Sequence, residues 1–422
     1  MSTSNDKKMT YGFGLLSIAL ISRWITGNAI FTSSDSFLHY GYIGAITFSA
    51  GGFLAFLALI PILMRVRRMG SFSSLPEVLA SRLSPAAFLW MNRLLIFGVL
   101  CGIIVMGYAA AILLYPLHIP IEFGISAFFL IGFPIAVFTR IEWFTRYSML
   151  KVGGLFLLMI MMLVHAYMLE GIEKVYDGLR LYHPYLLYIN WPSVPMLLTV
   201  FFLAMLGHML IDQKMWNLLL RSRLDKIKLG MATTGFIWST IPFSFSMISM
   251  SAIYLGGFHN LITVFEKIIL RYDSRLLAIF LIVLLLFILF ESFLGQMHSL
   301  YVLYNKNDRK LKKHIWLLFI FYTAAVPFLI YYFALTILDL FFIFGCFFAS
   351  VIPAVLRIFW SQTRLGKEII FAAASGTLAG WTALGFGLRQ NSILIAFIVS
   401  LAFLLAAAAH LWLIPRKEYV QY

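Results

Sequence analysis

The sequence predicts an all-α membrane protein with about twelve transmembrane helices. Of its 422 residues, 62% are hydrophobic and only 12% are charged, whereas a soluble domain carries about 25% charged residues. The apolar residues fall in runs of roughly 20, the length that crosses a hydrocarbon core of about 30 Å. The first run has no small-residue cleavage pattern after it and many similar runs follow, so it is interpreted as a span and not as a removed signal peptide.

The apolar runs follow one another without a linker long enough to separate soluble domains. Residues 1–422 are therefore interpreted as a single membrane domain. In chain order the predicted spans are Tyr11–Thr32, Tyr40–Met64, Ala87–Leu114, Ile121–Phe138, Met149–Leu169, Val194–Ile211, Leu229–Leu255, Leu276–Tyr304, Ile315–Tyr332, Leu335–Leu356, Glu368–Leu388 and Ser392–Ile414.

The positive charges indicate how the chain lies in the membrane. The net charge is +15, and the lysines and arginines sit mainly in short segments between apolar runs. If the N-terminus is cytoplasmic, 24 of them fall on the inner side, Lys151 included, and 6 on the outer side. This bias predicts cytoplasmic N- and C-termini in the cytoplasmic membrane. No basic patch is interleaved with aromatic residues on a soluble domain, so no nucleic-acid partner is expected.

Two spans contain residues that interrupt membrane helices. Span 1 has a Gly-Asn pair within Ile25–Ala29, and span 6 has Gly207-His208 before Asp212-Gln213. In transporters built from inverted repeats, helices broken at corresponding positions bind the solute. Glycine alone is common in membrane helices, and His208 could instead hydrogen-bond between helices. The five-span separation favours a binding site. Its candidate residues are Thr26, Gly27, Asn28, Gly207 and His208.

Several segments together resemble one transporter family, the sodium:solute symporters. The matching segments are Trp24–Asn28, Tyr40-Gly41, Arg65–Gly70, Leu75–Val78, Asp212–Asn217 and Asn307–Lys310 at the exit of span 8. The resemblance implies a LeuT-type fold of two inverted repeats, over 11–169 and 194–357, with an accessory helix pair over 368–415. Two features depart from the family. The chain starts almost at the first core span, where members usually carry an extra helix, and Trp216-Asn217-Leu218 stands where they usually have Trp-Gln-Arg.

The resemblance also implies where a coupling ion would bind. In sodium-coupled members the ion lies between backbone carbonyls of helix 1 and hydroxyl side chains of helix 8. Aligning the motifs without gaps places Ser22 and Ile25 at the helix-1 positions. The helix-8 positions are Ile288, Glu291 and Ser292. A carboxylate therefore replaces one hydroxyl, and an arginine, Arg23, lies next to Ser22 in the helix-1 half of the site.

Arg23 and Glu291 lie at similar depths in their spans, near the middle of the membrane. An unpaired charge there costs at least about 2.5–3.5 kcal/mol. We hypothesise that the two form an ion pair, with the guanidinium where sodium would bind. Glu291 could instead be a protonatable coupling group, and a third interpretation is that the pair only ties the two helices together. Sodium is therefore disfavoured as coupling ion, and proton coupling stays open.

Three classes of function fit these observations unequally. A symporter-like secondary transporter for a small polar organic solute fits the interrupted spans, the charge distribution and the resemblance. A non-transporting sensor or a subunit of a membrane complex fits the altered ion site and would need a membrane-protein partner. An enzyme is not expected, because His208 and Asp212 have no third metal ligand or nucleophile beside them. No cofactor and no metal site are predicted, and the two cysteines lack zinc spacing.

Overall fold

The computed structural model describes residues 12–138, 148–254, 256–258, 260–270, 275–303 and 316–413. Over these residues the chain is almost entirely helical, with an isolated β-bridge between Leu83 and Leu365. A helical structure is expected in a bilayer, because a backbone in hydrocarbon must satisfy its hydrogen bonds within the protein. The predicted all-α fold class is confirmed.

Each predicted span coincides with a described helix, and we number these helices α1–α12 by span. They are α1 Phe13–Trp24, α2 Ser33–Met69, α3 Pro85–Leu114, α4 Ile121–Phe138, α5 Ser148–Glu170, α6 Ser193–Ile211, α7 Leu224–Ile253, α8 Arg275–Leu303, α9 Trp316–Tyr332, α10 Ile337–Trp360, α11 Glu368–Gly385 and α12 Arg389–Leu413. Shorter helices lie between them, at Leu75–Arg82, Ile172–Tyr182, Pro184–Leu187, Gln213–Leu220 and Leu261–Leu270.

The first span is broken and is longer than predicted. α1 ends at Trp24, and Ile25 has extended dihedrals (φ −78°, ψ 93°) before a π-helix over Asn28–Thr32. The span then continues into the first part of α2, which is kinked at Gly41, whose φ of 65° favours glycine. The predicted end at Thr32 is therefore wrong, because the helical chain runs on from Thr32 to this kink.

The sixth span is also broken, but not at the predicted glycine. Gly207 and His208 lie inside α6, and the helix ends one turn later at Asp212 (φ −75°, ψ 95°). The Asp212 carboxylate accepts hydrogen bonds from the backbone N–H groups of Lys214 and Met215, which caps the helix Gln213–Leu220. Gly207 instead permits close packing, since a Cβ there would lie 2.0 Å from the Phe348 carbonyl oxygen.

The helices around the two breaks form one continuous apolar core. α1 packs against α7 and α5, α6 packs against α2 and α10, and α3 packs against α8 and α4. α11 and α12 pack against each other and against α10, and both contribute buried residues to this core. The packing brings the break in span 1, the break in span 6, α5 and α8 together. The division into two repeats and an accessory pair remains a prediction.

Candidate functional site

A buried lysine that the sequence prediction missed lies between the break in span 1 and α8. Lys151 of α5 is 1% exposed. Its Nζ donates to Glu291 Oε2 at 2.6 Å, to Ser292 Oγ at 2.8 Å and to the Ser22 carbonyl oxygen at 2.9 Å. An ammonium has three N–H donors. All three are therefore satisfied, by a carboxylate, a hydroxyl and a main-chain carbonyl.

The break in span 1 explains why a main-chain carbonyl is available there. Carbonyls in the last turn of a helix lack partners within the helix, and α1 ends two residues after Ser22. Ser292 Oγ contacts the same break, because it lies 2.9 Å from the Ile25 carbonyl oxygen and equally far from that of Ile288. The structure thus brings together five of the six predicted ion-site residues, namely Ser22, Ile25, Ile288, Glu291 and Ser292. Their role in ion binding remains a prediction.

Arg23, the sixth predicted ion-site residue, faces a different partner. Its Nε lies 2.9 Å from Asp212 Oδ2, and its Nη2 donates to Oδ1 at 3.0 Å. Both side chains are buried, at 5% and 3% exposure. The predicted ion pair between Arg23 and Glu291 is therefore wrong, since each charge has its own partner. The reason is that the break in span 6 places Asp212 beside the break in span 1, while α5 supplies Lys151 to Glu291.

Hydropathy placed Lys151 in a membrane-surface segment because it lies near the start of its span. α5 begins at Ser148, so Lys151 is in the first turn, but the helices around it cover it completely. The Gly153-Gly154 pair that follows gives no signal of this burial, because a Cβ at Gly153 would have no neighbour within 4 Å and one at Gly154 would make only ordinary contact with Leu284 of α8 at 3.4 Å.

A third cation, Lys214, lies beside these two pairs. Its Nζ is 3.0 Å from the position that a Cβ at Gly295 would take, and Gly295 is one turn beyond Glu291 on α8. Its backbone N–H donates to Asp212 Oδ1 at 3.1 Å. We call Arg23, Lys151, Lys214, Asp212 and Glu291 the charge cluster. With three cations and two carboxylates its formal net charge is +1.

A small cavity of about 30 Å³ lies next to the charge cluster, at the break in span 1. The His208 ring stacks on Phe348 with centroids 4.4 Å apart and planes 10° apart, and meets Trp24 edge-on at 4.9 Å. Thr26, Ala29 and residues of α3 and α6 complete the wall. Six aromatic rings line this space, and we call it the aromatic cavity: Trp24, His208, Trp238, Phe341, Phe344 and Phe348.

The five predicted substrate-binding residues do not all face the aromatic cavity. Thr26 and His208 line it. Gly27 faces α3 instead, where a Cβ would lie 2.9 Å from Ala109 Cβ, and Gly207 faces the backbone of α10. The Asn28 side chain lies outside the described residues. A role in substrate binding therefore remains a prediction for all five. In the described part of the chain, no group of three or more His, Cys, Asp or Glu could hold a metal ion.

Comparison with known proteins identifies the fold. No protein-family profile and no curated protein matches the chain. Among solved structures, the chain is similar to a Na⁺-coupled sialic acid symporter in a substrate-bound outward-open state, with a TM-score of 0.70 over 95% of this chain and 90% of that one, at 13% identity. The chain has the LeuT-type fold.

A second LeuT-type structure is similar over most of its length. It is a nucleobase-cation-symport-1 family transporter in a closed conformation with bromovinylhydantoin bound, with a TM-score of 0.55, 12% identity and coverage of 96% of this chain and 92% of that one. Both structures are of transporters, and at these identities they establish the fold. The fold implied by the family resemblance is therefore confirmed.

Proposed function

We propose that the protein is a secondary transporter that moves a small organic solute without sodium coupling. The observation that carries this proposal is the position of the Lys151 ammonium. It contacts a main-chain carbonyl at the break in span 1 and a hydroxyl on α8. These are the two kinds of group between which sodium lies in the family that the sequence resembles. The ammonium supplies the positive charge that the ion would supply.

A sodium ion and the ammonium cannot share these oxygen atoms. Two like charges 4 Å apart repel by about 4 kcal/mol at an effective dielectric constant near 20. The ammonium is held by the chain and its three donors are satisfied, so sodium could displace it only by leaving the buried Lys151 without a partner. A buried charge without a partner is costly. The charge balance therefore favours a permanently occupied site and no requirement for sodium.

The transport part of the proposal rests on the two broken spans. Discontinuous helices at the centre of a membrane domain expose backbone groups that bind solutes and ions in transporters. Here both breaks lie near the aromatic cavity, and both compared structures are transporters of the same fold. Location in the cytoplasmic membrane with both termini inside rests on the distribution of lysine and arginine.

Uptake by proteoliposomes tests the proposal. Purified protein is reconstituted, a mixture of small organic solutes is supplied, and the trapped solutes are measured by mass spectrometry. The same preparation is assayed in sodium and in potassium buffer, with protein-free liposomes as the control. We expect uptake of one solute class at equal rates in both cations. Uptake that requires sodium would overturn the sodium-independent mechanism, and solute binding without any uptake would favour a sensor or complex subunit.

A further inference from the structure

The aromatic cavity gives information about the solute. We infer that it binds an uncharged, flat solute, such as an aromatic or heteroaromatic amide. This inference rests on the proposed function, because it takes the aromatic cavity as the solute site. It narrows the broad class of small organic molecules by two properties, shape and charge, and each has its own support in the described residues.

The arrangement of the rings favours a flat molecule. Phe341, Phe344 and Phe348 follow one another at three- and four-residue spacing, so they share one face of α10. The His208 ring lies parallel to Phe348, so rings in this cavity stack face to face. Paired aromatic rings attract each other beyond what the burial of their area contributes. A flat solute can use the same faces once the α10 rings rotate or move to enlarge the cavity.

The electrostatics favour a solute without charge. None of the side chains that line the aromatic cavity is that of Asp, Glu, Lys or Arg. A cationic solute would lie beside a charge cluster that already carries a net positive charge. An anionic solute would need a cation, but Arg23 is bound to Asp212 through two nitrogen atoms, and Lys151 has three acceptors. A charge without a partner in such a site is expensive to bury.

Two polar groups remain to orient the solute. The indole N–H of Trp24 donates to Met215 Sδ at 3.2 Å, and that of Trp238 donates to the Trp24 carbonyl oxygen at 2.8 Å. Among the groups that the structure describes, none hydrogen-bonds the side chain of His208 or of Thr26. Their imidazole and hydroxyl can therefore donate to and accept from an amide or a ring nitrogen.

Three probes of matched shape separate the effect of solute charge on binding affinity from the effect of solute shape. Benzamide is neutral, benzoate is an anion and benzamidine is a cation at neutral pH, while all three are flat and nearly equal in size. Binding is measured by ligand-observed NMR titration of the full chain in lipid nanodiscs, with empty nanodiscs as baseline. We expect benzamide to bind at least about tenfold more tightly than either ion. Equal or tighter binding of benzoate or benzamidine would overturn the charge assignment.

A fourth probe and two variants test shape and location. Cyclohexanecarboxamide keeps the amide but is not flat, and we expect at least about fivefold weaker binding than benzamide. His208→Phe keeps the ring and removes its nitrogen atoms, and should weaken benzamide about tenfold. Phe371→Ala is the control, because Phe371 lies on α11 and is 58% exposed. Equal affinity for cyclohexanecarboxamide, or an unchanged affinity in His208→Phe, would contradict the inference, as would no binding of any probe.

This titration needs neither transport nor sodium. If benzamide binds as expected but proteoliposomes take up no solute, the proposed function fails and the inference about the aromatic cavity stands. If solutes are transported without sodium but the charged probes bind best, the transport proposal stands and the inference about the solute fails.

Discussion

At the scale of single residues, two buried ion pairs replace the one that the sequence suggested. The depth argument correctly predicts that Arg23 and Glu291 each need a partner, because unpaired charges in a membrane are costly. It cannot choose the partner, since that choice depends on how each helix is rotated and where it breaks. The burial of Lys151 is missed for a related reason. Hydropathy gives the position of a residue along its span, and it does not show which neighbouring helices cover that residue.

Replacing one member of the Lys151–Glu291 pair should destabilise the protein more than replacing both. We expect Lys151→Met and Glu291→Met each to lower the free energy of unfolding by about 3–5 kcal/mol, because each leaves a buried charge unpaired. The double variant should lose much less than the sum of the two. Unfolding in mixed micelles measures this coupling. Lys174→Met is the control, since Lys174 is exposed. Additive losses would show that the two side chains do not interact.

At the scale of the helices, the number and order of spans are predictable and the position of a break is less so. A bilayer imposes a minimum length on each span, and the twelve apolar runs therefore correspond to helices. The predicted break at Gly207 is wrong because glycine in a membrane helix can permit close packing as well as interrupt the helix. The true break, at Asp212, carries its own signal. An aspartate whose carboxylate caps the following helix is typical of a helix start.

The contact between α6 and α10 gives a direct test of this interpretation of Gly207. In Gly207→Ala the new Cβ would lie 2.0 Å from the Phe348 carbonyl oxygen, so the helices must separate. We expect a loss of about 1–3 kcal/mol in the free energy of unfolding. Gly153→Ala on α5 is the matched control, because no atom lies within 4 Å of its Cβ position. Equal thermal midpoints for the two variants would contradict close packing at Gly207.

At the scale of the whole molecule, the LeuT-type fold follows from two features that the sequence carries. One is the five-span separation of the interrupted helices, and the other is the set of short motifs shared with the symporter family. Charge distribution adds an orientation, with both termini predicted in the cytoplasm. The aromatic cavity could not be predicted, because its six rings come from four separate helices. Only Thr26 and His208, among the predicted substrate residues, line it.

Reporter fusions check the predicted orientation. Alkaline phosphatase is active only outside the cytoplasm, whereas green fluorescent protein exported in unfolded form stays dark. We expect C-terminal fusions to fluoresce and to lack phosphatase activity, because twelve crossings return the chain to its starting side. A phosphatase fusion after Lys174, between α5 and α6, should be active and serves as the internal control. An active phosphatase at the C-terminus would mean an odd number of crossings or the opposite orientation.

The central claim is that the Lys151 ammonium takes the place of a sodium ion. The most direct test is thermal unfolding of the purified protein and of Lys151→Ala in sodium, potassium and choline chloride at equal ionic strength, with Lys214→Ala as the control. We predict that the unfolding temperature of the parent protein is the same in all three salts, and that the unfolding temperature of Lys214→Ala likewise does not depend on the salt. Lys151→Ala should be less stable but should gain stability in sodium alone, because Glu291, Ser292 and the Ser22 carbonyl are then free to bind the ion. Stabilisation of the parent protein by sodium, or no response of Lys151→Ala, would contradict the claim.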